Sequence, residues 1–167
     1  MNHVKFIALL LFMLIAPSCK KDKDKGTDVE TPRTFYEINL RHIKQKEALM
    51  SDAVIQVSGA NNGVTWKMGD VYVYRTRSGL YGKFRVGAID PNDNYKLTIS
   101  AVTYNADGSV HGEAEKIVIR GTYGADLEKL VEGTSIDDID FQWVRQSQVN
   151  TIFTPTNGGA FIVYRLD

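Results

Sequence analysis

Clusters of glycine, asparagine and aspartate cut residues 52–166 into apolar runs of strand length. That punctuation leaves little room for long helices and points to an all-β chain. The strongest single unit is a hairpin. Val71-Tyr72-Val73-Tyr74-Arg75-Thr76 and residues 80–89 flank the short turn Arg77-Ser78-Gly79. In its second arm Leu80, Gly82, Phe84 and Val86 alternate with Tyr81, Lys83 and Arg85, which is strand periodicity with one apolar and one polar face.

Further strands are expected over 52–58, 64–68, 95–104, 110–120, 136–145, 149–153 and 160–166. Asp107-Gly108 marks a second hairpin turn, and residues 90–94 a third turn. Tyr36, Ile38 and Leu40 share one face of an expected strand over 34–40. Residues 41–50 hold helix formers without a recognisable N-cap, and 126–131 reads as a helical turn. Phe161-Ile162-Val163-Tyr164 is apolar on both faces, the pattern of a central strand. There is no βαβ alternation. The expectation is an antiparallel sandwich or barrel of about nine or ten short strands with at most one or two short helices.

Ahead of this domain the chain opens with Met-Asn-His-Val-Lys, an apolar run over 6–16, and Pro17-Ser18-Cys19. A basic head, a short apolar stretch and small residues before a cut site describe a secretory signal. The run is shorter than the roughly 20 residues that cross a bilayer. Cys19 is the only cysteine, so no disulfide forms within the chain. The box Ile15-Ala16-Pro17-Ser18-Cys19 resembles the lipobox of bacterial lipoproteins, which implies cleavage before Cys19 and its acylation. Lys20-Lys21-Asp22-Lys23-Asp24-Lys25 resembles the charged export tag on surface lipoproteins of the Bacteroidetes group, which implies an outer-membrane protein facing outward. Residues 1–18 are thus expected as signal peptide, 19–33 as lipidated cysteine and flexible charged tether, and 34–167 as one β domain.

The whole chain carries 20 basic and 20 acidic side chains. With no basic excess to meet a phosphate backbone, nucleic acid is not an expected partner. No elbow serine, zinc-protease helix or phosphate-cradling glycine motif occurs, and catalysis is not expected. Four readings of the remaining residues stay open. Trp66, Tyr72, Tyr74 and Tyr81, with Lys83 and Arg85 beside them, supply aromatic and cationic groups for a glycan or other flat ligand. His42, His111, Glu113 and Glu115 are the candidate metal or haem ligands, the last three sharing one strand face. Glu113, Glu115 or Asp140 would have to build a paired-carboxylate site if the chain were a hydrolase. A partner protein in the envelope, with no small ligand, is the fourth.

Residues 69–104 and 126–163 resemble two stretches of the HmuY-like haem-binding surface lipoproteins. The likeness is carried by Lys83-Phe84-Arg85-Val86 and by Asp138-Ile139-Asp140-Phe141 with Asn157-Gly158-Gly159-Ala160. It implies an all-β surface lipoprotein. Neither His42 nor His111 maps onto the histidines that hold haem in that family, so no cofactor is carried across by it.

Overall fold

The computed structural model describes residues 30–58, 66–147 and 150–166. The signal segment, Cys19 and most of the expected tether lie outside them. Ten strands among the described residues form two antiparallel sheets of five. Of the expected sandwich or barrel, the sandwich is the architecture found. One sheet runs β10 (Ala160–Tyr164), β2 (Val71–Arg75), β3 (Tyr81–Asp90), β4 (Lys96–Tyr104) and β5 (Val110–Ile119). The other runs β1 (Ile55–Ser58), β9 (Thr151–Pro155), β8 (Phe141–Arg145), β6 (Gly124–Asp126) and β7 (Val131–Gly133). No helix among the described residues is long and apolar enough to cross a membrane.

The core between the sheets is aromatic. Tyr72, Tyr74 and Phe84 meet Phe141, Trp143, Phe153 and Phe161, with Trp66 stacked on Trp143 at 5.5 Å. Two bulges keep this face apolar. Between Val86 and Ala88, β3 spends two residues where β4 spends one, so Val86 and Ile89 both pack against the core although they are three apart. An extra residue in β5 does the same for Ala114 and Ile117.

The opposite face of the β2–β5 sheet is also covered, by an N-terminal strap of residues 30–43. Phe35, Ile38, Leu40 and Ile43 bury themselves against Val71, Val73, Val102, Tyr104 and Tyr164. The expected strand over 34–40 is therefore a turn: the carbonyls of Phe35 and Ile38 accept from the Lys83 ammonium instead of a neighbouring strand. The expected tether ends earlier than residue 33, since Pro32 is buried. The helix expected over 41–50 is split into α1 (Leu40–Lys44) and a 3-10 turn at Glu47–Leu49. It does have an N-cap. Asn39 Oδ1 accepts from the N–H groups of Arg41 and His42, and His42 Nδ1 accepts the Asn39 N–H. Histidine stands where a capping box carries Glu or Gln.

Three other expectations change. Residues 66–68 form no strand, although the Trp66 N–H reaches the Val57 carbonyl; residues 64 and 65 lie outside the described set. Residues 126–131 are no helical turn but the end of β6, a tight reversal and the start of β7. β10 is an edge strand, not a central one. Both its faces are apolar because Phe161 points into the core while Ile162 and Tyr164 pack under the strap.

Candidate functional site

On the outer face of the β10-β2-β3-β4-β5 sheet, the strap and the strands β3, β4 and β5 enclose a groove of about 230 Å³. Its walls are Phe35 and Tyr36 from the strap, Arg85 from β3, Ser100 from β4, and Glu113 and Glu115 from β5. Alternation along β5 puts both glutamates on the solvent side of the strand, about 7 Å apart along it. The Arg85 guanidinium lies over the rings of Phe35 and Tyr36, at 5.4 and 5.9 Å. Those two rings meet edge to face at 5.6 Å, and Tyr36 is 72% exposed. Among the described residues, Arg85, Glu113 and Glu115 make no close ion pair with one another or with any other side chain.

Beneath the groove lies Lys83, only 2% exposed. Its ammonium donates to the carbonyls of Phe35 at 2.7 Å and Ile38 at 2.6 Å, and sits 4.6 Å from the centre of the Phe35 ring. Burial pushes this ammonium down to about 8, against the pull of the Glu113 carboxylate. Lys83 is thus a fastening for the strap, not a ligand-facing cation. Tyr104 adds to it by donating to the same Ile38 carbonyl at 3.0 Å.

The expected aromatic platform is not on the surface. Trp66, Tyr72 and Tyr74 are core residues, and the Tyr74 hydroxyl is spent inside the sheet on Thr103 at 2.7 Å. Their alternation with Val71 and Val73 resembles a strand with one free face, but the strap closes that face too. Tyr81 is half-buried, its hydroxyl donating to Glu47 and its ring under the Lys44 ammonium at 5.5 Å.

The two histidines do not form a pair of ligands. His42 is buried, with Nδ1 accepting from Asn39 and Nε2 donating to the Glu30 carbonyl, so both ring nitrogens have work in the strap. His111 is exposed and contacts Asn105 Oδ1. No group of three His, Cys, Asp or Glu among the described residues could hold a metal ion, so His111, Glu113 and Glu115 do not converge as the strand pattern suggested.

Asp140 belongs elsewhere. Fully buried, it accepts the Arg77 N–H at 2.9 Å through Oδ1 and the Leu127 N–H at 2.7 Å through Oδ2. Burial holds its carboxyl above the usual carboxylate value, although both N–H groups and the Arg77 guanidinium pull the other way. The same guanidinium lies 3.4 Å from Asp126 and 3.7 Å from Asp140. The cluster ties the β2–β3 turn of one sheet to the β6–β8 end of the other. It shares no partner with Glu113 or Glu115, so the three carboxylates do not make one site.

Of the groove residues, the sequence marks Arg85, Glu113 and Glu115 as candidate ligand groups, whereas periodicity sets Tyr36 on the apolar face of an expected strand and passes over Phe35 and Ser100. The signal available was the aromatic pair Phe35-Tyr36 between the polar Thr34 and Glu37, although alternation with Ile38 and Leu40 reads Tyr36 as core. Compared with protein families, with curated proteins and with solved structures, the chain finds no match in any of the three.

Proposed function

We propose that this chain is an envelope lipoprotein, held by an acylated Cys19 and facing outward from a Gram-negative cell, whose β domain is a non-catalytic binding module. The address rests on the Ile15-Ala16-Pro17-Ser18-Cys19 box and the charged run behind it. A multiply acylated cysteine makes a stable anchor at about 0.8 kcal/mol per buried CH₂. The binding role rests on one observation, the groove in which Arg85, Glu113 and Glu115 stand around the exposed Tyr36 without a close ion pair to any side chain among the described residues. Charged groups left unspent around an exposed aromatic are what a polar ligand needs for orientation. A haem role has less support, because His42 is committed to the strap at both nitrogens.

The test is a thermal-shift panel of haemin, divalent metals and oligosaccharides on the protein and its Arg85→Ala variant. A ligand at 100 times its Kd adds about 2.7 kcal/mol to stability. A shift seen in the parent and lost in the variant supports the groove. A panel without any shift overturns the small-ligand role and leaves a protein partner in the envelope. For the anchor, mass spectrometry should find acylated Cys19, and Cys19→Ala should leave the membrane fraction; retention of that variant would refute lipidation.

A further inference from the structure

We infer that the groove takes a neutral, hydroxyl-rich ligand, one or two rings of a saccharide chain, in preference to any ion, metal or large flat cofactor. The inference rests on the groove being the ligand site. Four observations lead to it.

The first is size. At about 230 Å³ the groove is smaller than the roughly 300–1,000 Å³ of sites that engulf drug-sized ligands. A macrocycle does not fit, whereas one or two rings of an extended chain lying across the sheet do.

The second is charge. The lining sets one guanidinium, Arg85, against the two carboxylates Glu113 and Glu115, and the buried Lys83 ammonium held by the strap carbonyls behind it offsets the remaining negative charge. An anion meets two carboxylates, and a cation meets a guanidinium with an ammonium behind it. Neither gains the field that a charged ligand would need to repay its desolvation.

The third is the kind of polar group on offer. Guanidinium N–H groups donate, carboxylate oxygens accept, and the Ser100 hydroxyl does either. Vicinal hydroxyls, each both donor and acceptor, match that mixed set in a way that a phosphate or an amine does not. Hydrogen bonds to charged partners are also the strong ones, which suits an uncharged ligand.

The fourth is Tyr36. Its ring is 72% exposed and braced edge to face by Phe35, with Arg85 against it, so it is an apolar surface of fixed orientation at the rim. The C–H faces of a sugar ring pack on such a surface while the hydroxyls around its edge reach the polar walls.

The experiment is calorimetric titration of the protein with maltohexaose, mannohexaose and xylohexaose as neutral probes, trigalacturonate as an acidic one and a fully deacetylated chitosan hexamer as a cationic one. Each is repeated with Tyr36→Ala and Arg85→Ala, at low and high salt. The expected result is binding of a neutral probe, weakened at least about tenfold in either variant. It should change little between roughly 0.05 and 0.5 M salt, because no charge pair is screened. Unchanged melting curves of the two variants would show that the loss is not one of folding. If instead a charged probe binds best, weakens with salt and is lost in Arg85→Ala, the groove stands as the site and the neutral-ligand inference is wrong. If nothing binds, or if binding survives both substitutions, the groove is not the site and both readings fall.

Discussion

The ammonium of Lys83 lies 2.6 Å from the carbonyl oxygen of Ile38, and Tyr104 donates to that same oxygen. This point joins the strap to the sheet, and it makes the fold sensitive to alkali in an uncommon direction. Burial depresses the Lys83 ammonium to about 8 from its ordinary 10.5. Between those values the unfolded chain holds a proton that the folded chain has shed, so the unfolding free energy rises with pH. Tyr72, pushed up to about 12 by burial, acts oppositely: its contribution is complete below pH 10 and is lost above it. Burial raises the Tyr74 and Tyr104 hydroxyls in the same way, so stability measured by urea unfolding should climb by roughly 1–2 kcal/mol from pH 8 to a maximum between pH 9 and 10. In Lys83→Met that climb should vanish. A parent protein with a flat profile over the same range would refute the assignment.

Asp140 should be the most costly carboxylate to remove. Asp140→Ala leaves the Arg77 and Leu127 N–H groups and the Arg77 guanidinium without their buried acceptor. The expected loss is about 3–5 kcal/mol, and Asp140→Asn, which keeps one acceptor oxygen, should lose less. Equilibrium unfolding of the two variants provides the comparison. Equal losses would mean that the charge, and not the hydrogen bonding, is what matters.

Gly82 faces the Tyr74 ring across the β2–β3 pair, and a Cβ built there would run into the Cζ and Oη atoms of that ring. Tyr74 is fully buried and held by Thr103, so it cannot swing aside. Gly82→Ala should therefore destabilise by about 2–3 kcal/mol through overpacking. The melting temperature should fall accordingly, and an unchanged value would mean that the sheet yields locally.

His42 should behave as a capping residue. Its replacement by alanine is expected to cost about 1 kcal/mol, and His42→Gln should recover part of that, since glutamine at this position can reach the same N–H. Haemin absorbance should be the same in the parent and in both variants. A Soret band lost on substitution would restore the haem reading.

How much of this was legible beforehand depends on the layer. The hairpin of Val71–Arg75 and Tyr81–Asp90 declares itself through alternation and Gly79, whose φ of 90° suits the turn. The aromatic side of that alternation, Tyr72, Tyr74 and Phe84, is the core face, which periodicity indicated without fixing what covered the other side. The strap was invisible because its anchoring is polar and distant. Nothing local to Phe35 or Ile38 shows that their carbonyls will meet an ammonium 45 and more residues away. Without that third layer, Lys83 read as surface and Ile162 and Tyr164 as the second face of a central strand. Arg85 stands out in the sequence on one strand and Glu113 with Glu115 on another, under different candidate ligands. Only the pairing of β3 with β4 and of β4 with β5 places them around one space.

The strap also defines a load path. Tension arriving along the chain ahead of Glu30 meets the His42 bond to the Glu30 carbonyl first, and only then the Lys83 bonds at Phe35 and Ile38. The groove walls formed by Phe35 and Tyr36 therefore lie behind a sacrificial link, as a cable's conductor lies behind its strain relief. Pulled from its N-terminal end in a single-molecule trap, the protein should yield in two steps, a weak one that His42→Ala removes and a stronger one that it leaves in place.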